Sequence, residues 1–146
     1  MAGTRVSWED YQGIQLLISD YAWAYDCRDF VAMSETFVPD GVMHIGGGAY
    51  EGRALIAHFV ETHVQEQHLD KVMQHHIAHL KVFADGDDFR AYSYWMVPGQ
   101  MLADRSAFVG ALGWYQDVIT KTDGRWLFKE RRMHDGMPQG LPWDAA

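Results

Sequence analysis

Over its first half the chain places apolar side chains three and four residues apart, and over its second half it alternates them with polar ones. Ile14, Leu17, Ile18, Tyr21 and Tyr25 form one stripe of a helix predicted from Trp8 to about Asp26. Ser7 and Asp10 have the spacing of a capping box at its start, with Asp in place of Glu. A short second helix is predicted over residues 30–36, a turn at Pro39-Asp40-Gly41, and a strand over Val42-Met43-His44-Ile45 that ends in the glycine turn Gly46-Gly47-Gly48. A third helix fits Arg53 to about Gln67, with Leu55, Ile56, Phe59, Val60 and Val64 on one face. Strands are predicted over residues 73–83, 89–97, 106–120 and 125–133, with hairpin chemistry at Asp85-Gly86-Asp87-Asp88 and Thr122-Asp123-Gly124. Three N-terminal helices followed by meandering strands describe one α+β domain over residues 1–146, in which a curved sheet wraps the helices.

Composition narrows the partners. A chain of 146 residues that is 48% hydrophobic can bury a core without disulfides or metal, and the lone Cys27 cannot form an internal disulfide. The formal net charge of −8 argues against nucleic acid, whose backbone calls for clustered Lys and Arg. Met1-Ala2-Gly3-Thr4-Arg5 has no charged-then-apolar leader pattern, and no apolar run approaches the length of a membrane span, so a cytoplasmic protein without a membrane partner is expected. The triple glycine lacks the GxxxxGK[ST] spacing of a phosphate loop. Six Trp and eight Met fit either a well-filled core or an aromatic, Met-lined cavity for a ring-shaped ligand, and composition does not separate the two.

Two stretches could carry chemistry. Asp26 follows Ala22 by four residues and Ile18 by eight, which puts a carboxylate at the edge of the apolar stripe, where it needs a partner or hydrogen bonds. Gln74-His75-His76-Ile77-Ala78-His79 lacks the Glu of an HExxH zinc motif, because His76 stands at that position. On a strand His75 and His79 would lie roughly 13 Å apart, too far to share one metal ion, so no metal site is expected. His75, Ile77 and His79 should share one face of that strand. Arg131 and Arg132 have opposite parities, so at most one should face a pocket. His44, His58, His63, His68 and His134 are assigned to surface or packing, and Tyr115 and Asp117 to packing of their strand.

Taken in order, Tyr25-Asp26-Cys27-Arg28-Asp29-Phe30, Gln74-His75, Trp114-Tyr115, Asp123-Gly124 and Trp126 resemble the SnoaL-like branch of the nuclear-transport-factor-2-like superfamily. The likeness spans about Trp8 to Met133. It is nearest to scytalone dehydratase and, for an acid-base dyad, to hexachlorocyclohexane dehydrochlorinase. The resemblance implies a cone-shaped α+β barrel with a pocket between sheet and helices. It matches Asp26 to the dyad acid, His75 to the base, Tyr25 to a tyrosine that activates the substrate carbonyl through water, and Arg131 to an arginine that assists the departing group. The departures are Gly99 at the second catalytic histidine, Ile45 at a pocket tyrosine, Tyr115 at a substrate-binding asparagine and Tyr21 at a lysine. Scytalone itself is therefore not the expected substrate.

An imidazole has an unperturbed pKa near 6.5, and a carboxylate on one ring nitrogen fixes the tautomer that leaves the other free to take a proton. The expected function is a cofactor-independent lyase of the dehydratase type, acting on a small cyclic or aromatic hydroxy-carbonyl compound. His75 would be the base, Asp26 its orienting acid and Tyr25 a hydrogen-bond donor, with Tyr21, Ile45, Trp95, Tyr115 and Met133 shaping the substrate site. Two alternatives stand beside it. One is an isomerase of the ketosteroid type or a polyketide cyclase in the same pocket. The other is a non-catalytic ligand-binding or assembly module. A homo-oligomer, dimer or trimer, is expected in each case.

Overall fold

The computed structural model describes residues 6–144, so the expectation drawn from Met1 to Arg5 lies outside the described residues. Helix α1 spans Trp8–Asp26, and its N-terminus is held as the capping box predicts, with Ser7 Oγ accepting from the Asp10 amide at 3.0 Å. Ile14, Leu17, Ile18 and Tyr21 are its buried stripe. Helix α2 spans Phe30–Ser34 and stops two residues short of the expected end. The Val31 carbonyl keeps its helical bond from the Glu35 amide at 3.0 Å, and the Ser34 and Thr36 hydroxyls add bonds to the Val31 and Met33 carbonyls at 2.8 and 2.6 Å, which compete for the acceptors of the last turn. Helix α3 spans Arg53–Gln67 and buries Ile56, Val60 and Val64.

Seven strands follow the order β2-β1-β7-β6-β5-β3, with β4 also pairing β5. Strand β1 is Phe37–Ile45, β2 Gly48–Glu51, β3 Lys71–Met73, β4 His76–Asp85, β5 Asp88–Met101, β6 Ala107–Thr122 and β7 Arg125–Asp135. The sheet is mixed, because β1 runs parallel to β7 while the other pairs are antiparallel. The long strands curl into a half-barrel, and the core sits between its inner face and the helices, around Ile14, Met33, Phe37, Ile56, Ile119 and Phe128. Close approach of α1 to the sheet depends on Gly13, where a Cβ would stand 2.4 Å from Cε3 of Trp126. Among the described residues no helix is long and apolar enough to cross a membrane.

Three local expectations change. Pro39-Asp40-Gly41 is not a turn between elements but a bulge inside β1, where the register to β7 shifts between Phe37 and Val42. The strand expected over residues 73–83 is broken at Gln74 and His75. Gln74 keeps a sheet-like bond from its amide to the Pro98 carbonyl at 3.0 Å, whereas the His75 amide leaves the ladder for Asp26. Farther on, His79 takes a φ of 55° at a register shift between Ala78 and Lys81, so it does not share the face of His75 and Ile77. Its ring lies against exposed Tyr94 at 5.4 Å, while Leu80 takes the inward direction.

Candidate functional site

The break at Gln74-His75 explains how Asp26 is held. Asp26 is the last residue of α1, and both of its oxygens are engaged by one residue. Oδ2 accepts from the His75 backbone amide at 2.8 Å, and Oδ1 lies 2.6 Å from His75 Nδ1. The amide that the strand break frees is thus satisfied by a carboxylate on a helix end. Two contacts to one acid fix both the main chain and the ring of His75. With Asp26 accepting at Nδ1, the neutral ring carries its proton there and leaves the lone pair on Nε2.

His75 lies in the wall of a cavity of about 410 Å³ between the open end of the half-barrel and the C-termini of α1 and α3. Of the residues singled out from the sequence, Tyr25, Asp26, Ile45, His75, Trp95 and Met133 share this cavity. The Tyr25 ring packs against the His75 ring with centroids 4.4 Å apart. Burial raises the Tyr25 hydroxyl well above its ordinary pKa, with smaller contributions from Tyr21 and Asp26, so it remains a protonated donor. Gly99 is occupied from the side, since a Cβ there would stand 2.5 Å from Cζ of Phe108, another cavity residue.

Tyr21, Tyr115 and Arg131 lie beneath this wall rather than in it. Tyr21 meets the His75 ring edge-on at 6.5 Å. Arg131 is 1% exposed and donates from Nε and Nη2 to the two oxygens of Asp117 at 3.0 and 3.1 Å. Its guanidinium carbon lies 3.8 Å from the Tyr115 ring centre and 4.3 Å from those of Tyr21 and Phe128. Burial works against the Arg131 charge, but Asp117 and the rings around it hold its pKa above the ordinary value. Burial also pushes the Asp117 carboxyl up, opposed by the guanidinium. This is a two-pronged ion pair in an aromatic cage, with the buried Arg131 Nη1 left without a hydrogen-bond partner among the described residues. Arg132 points the other way and pairs with Glu130, in keeping with the opposite parities.

The cavity also contains residues that sequence reasoning assigned elsewhere or passed over. His63 and His68, assigned to surface or packing, are in its wall together with Arg28 and Lys71. A spacing of five does not put two residues on one helical face, so periodicity could not pair them. They meet because His68 lies just past the end of α3 with φ −136°, where its ring can return toward His63. Arg28, at φ 62° between α1 and α2, fixes this corner by donating from Nη2 to the His68 and Lys71 carbonyls at 2.9 and 3.2 Å. Among the described residues no group of three or more His, Cys, Asp or Glu is arranged to hold a metal ion.

Solved structures share this architecture at low sequence identity. ActVI-ORFA from Streptomyces coelicolor has a TM-score of 0.80 at 21% identity, covering 90% of this chain and 97% of that one. A Catenulispora acidiphila protein in complex with S-DNPA has a TM-score of 0.72 at 23% identity, covering 84% and 92%. A Novosphingobium aromaticivorans protein provisionally called a scytalone dehydratase has a TM-score of 0.72 at 19% identity, covering 90% and 94%. Other similar structures are described as cystatin-like or NTF2-like folds. No functionally curated protein matches the chain. The SnoaL-like domain matches residues 6–132, and on that match the chain belongs to the SnoaL-like family.

Proposed function

We propose that the protein is a cofactor-independent lyase that removes water from a small cyclic or aromatic hydroxy-carbonyl compound. The observation that carries this reading is the 2.6 Å contact of Asp26 Oδ1 with His75 Nδ1 at the wall of a cavity. The carboxylate sets the tautomer and stabilises the imidazolium that forms when Nε2 takes a proton from the carbon next to the carbonyl. Tyr25, whose hydroxyl burial keeps protonated, donates to the oxygen on which enolate charge develops. Trp95, Val97, Phe108 and Met133 give the cavity apolar walls suited to a flat ring. Arg131 has no part in this step. Its charge is already used by Asp117, and we place it in the support beneath His75.

The test is a panel of cyclic β-hydroxy ketones and halogenated rings followed by mass. Loss of water or halide supports elimination. A changed product of unchanged mass would replace it with isomerisation or cyclisation, and no change of any compound would favour a binding module. His75→Ala and Asp26→Asn should each lower kcat by about 10²–10⁴-fold while far-ultraviolet circular dichroism stays native. Retained activity in either variant contradicts the dyad. Assembly is a separate proposal: light scattering should give two or three times the chain mass of 16.7 kDa, and a monomer would contradict it.

A further inference from the structure

The cavity does not share the charge of the chain around it. The protein has 20 Asp and Glu residues and a formal net charge of −8, yet only Asp26 and Asp135 of these acids line the cavity, against Arg28, Lys71, His63, His68 and His75. Asp26 is committed to His75, and Asp135 ends β7, three strands from Lys71 on β3 in the order of the sheet. The corner between the ends of α1 and α3 and strand β3 is therefore cationic. Arg28 is held there rather than paired. Its Nη2 donates to the His68 and Lys71 carbonyls at 2.9 and 3.2 Å, which fixes the guanidinium but does not cancel its charge, and among the described residues no carboxylate bonds it. Its backbone takes φ 62°, an uncommon conformation for a residue other than glycine. Lys71 Nζ meets Asp70 at 3.1 Å, but Asp70 is 62% exposed, so water screens most of that attraction. After burial, which is the larger cause, His63 and Lys71 hold His68 below its ordinary value, as positive charge nearby does.

An apolar wall beside a cationic corner fits a molecule with a ring at one end and an anion at the other. We propose that the substrate is a cyclic hydroxy-keto acid whose carboxylate is held by Arg28 and Lys71 while its ring lies on Trp95, Val97 and Phe108. The proposal rests on the lyase reading above for the reaction and adds to it the class of substrate. The carboxylate takes no part in the making or breaking of bonds. It holds one end of the molecule, so that the carbon beside the carbonyl is presented to His75 Nε2 in one orientation. A carboxylate suits the corner better than a phosphate does. The main-chain groups turned toward Arg28 are carbonyls at the end of α3, where the helix dipole is negative, and a doubly charged phosphate prefers the opposite end of a helix. The same two cations also draw an anion to a cavity whose surrounding protein would otherwise repel it.

The experiment compares 2-naphthoate with 2-naphthamide, which share a ring and nearly the same size and differ by one charge. Binding to the full chain is followed by titration calorimetry near neutral pH. The acid should bind about tenfold more tightly than the amide, and the advantage should shrink as salt is raised. Lys71→Gln and Arg28→Gln should each remove most of that advantage by weakening the acid alone, and Arg28→Lys should keep more of it than Arg28→Gln. Arg28 also holds two carbonyls, so its variants are read against the amide, whose unchanged affinity reports an intact wall. Lys71→Gln gives the same reading without touching those bonds. Equal affinity of acid and amide in the wild-type protein, no binding of the acid, or equal weakening of both ligands by Lys71→Gln overturns the proposal. His75→Ala should still prefer the acid, and a loss of the preference there would move the anion to His75 and overturn its assignment to Arg28 and Lys71. Binding needs no turnover, so the two readings fail separately: the base reading falls only with the hydroxy ketones, and equal affinity here leaves it standing.

Discussion

At the scale of single residues, the chemistry depends on which charges are already used. Asp26 engages both oxygens with His75, and Arg131 places two donors on Asp117, so two carboxylates that each hold a nitrogen base have different uses. One opens on a cavity, while the other is sealed among Tyr21, Tyr115 and Phe128. Arg131→Met should therefore act on stability, lowering the unfolding free energy in urea by roughly 3–5 kcal/mol because a buried carboxylate is left behind. The double variant Arg131→Met, Asp117→Asn should cost less than Arg131→Met alone. A loss of turnover at unchanged stability would instead return Arg131 to the reaction. Tyr25→Phe should lower kcat by about 10²-fold if its hydroxyl meets the enolate oxygen, with little change in the urea midpoint. Because burial holds that hydroxyl above its ordinary value of 10.0, the alkaline limb of a kcat profile should not fall through tyrosine ionisation up to that pH.

At the scale of elements, helix α1 joins the sheet through one missing side chain. Gly13→Ala would gain about 1 kcal/mol in helix propensity, but its Cβ would stand 2.4 Å from the half-buried Trp126 ring, and overpacking of that kind costs about 1–3 kcal/mol. We expect a lower urea midpoint. Combining Gly13→Ala with Trp126→Leu should relieve the clash, and a stabilised single variant would contradict this packing account. The ends of α3 and β7 carry a pH effect. Burial lowers His68 and His134 from 6.5, and His63 and Arg132 respectively add to the shift. The native state then binds fewer protons than the unfolded chain below about 6.5, so stability present above that pH is lost as pH falls through the folded-state values. Urea unfolding across this window should show a shallower pH dependence in His134→Gln than in the wild-type protein, and an unchanged slope would contradict it. His134 stacks on Trp114 at 4.0 Å, so the comparison should use slopes and not absolute stabilities.

At the scale of the whole molecule, the long periodic elements were legible in the sequence because each answers to one face. The bounds of α1 and α3 follow from their apolar stripes and flanking residues, and the hairpins at Gly86 and Gly124 follow from turn chemistry. Tertiary demands decided the rest. The break before β4 exists because Asp26 draws the His75 amide out of the ladder, and the bulge at His79 reverses the facing of the residues after it. No local pattern records either event. The same holds for the site: Asp26 and His75 could be paired through a family likeness, whereas His63 and His68 meet only after α3 has ended and Arg28 has fixed the corner.

The central claim is that His75, held by Asp26, removes a proton from carbon beside a carbonyl. It is tested most directly by incubating cyclic aryl ketones in heavy water and following deuterium incorporation at the α-carbon by nuclear magnetic resonance, because this step precedes any choice between elimination and isomerisation. The wild-type protein should exchange that position well above the buffer rate, and Asp26→Asn and His75→Ala should fall toward it by about 10²–10⁴-fold. Exchange equally fast in the wild-type protein and both variants, or no exchange above buffer in the wild-type protein, would contradict the account.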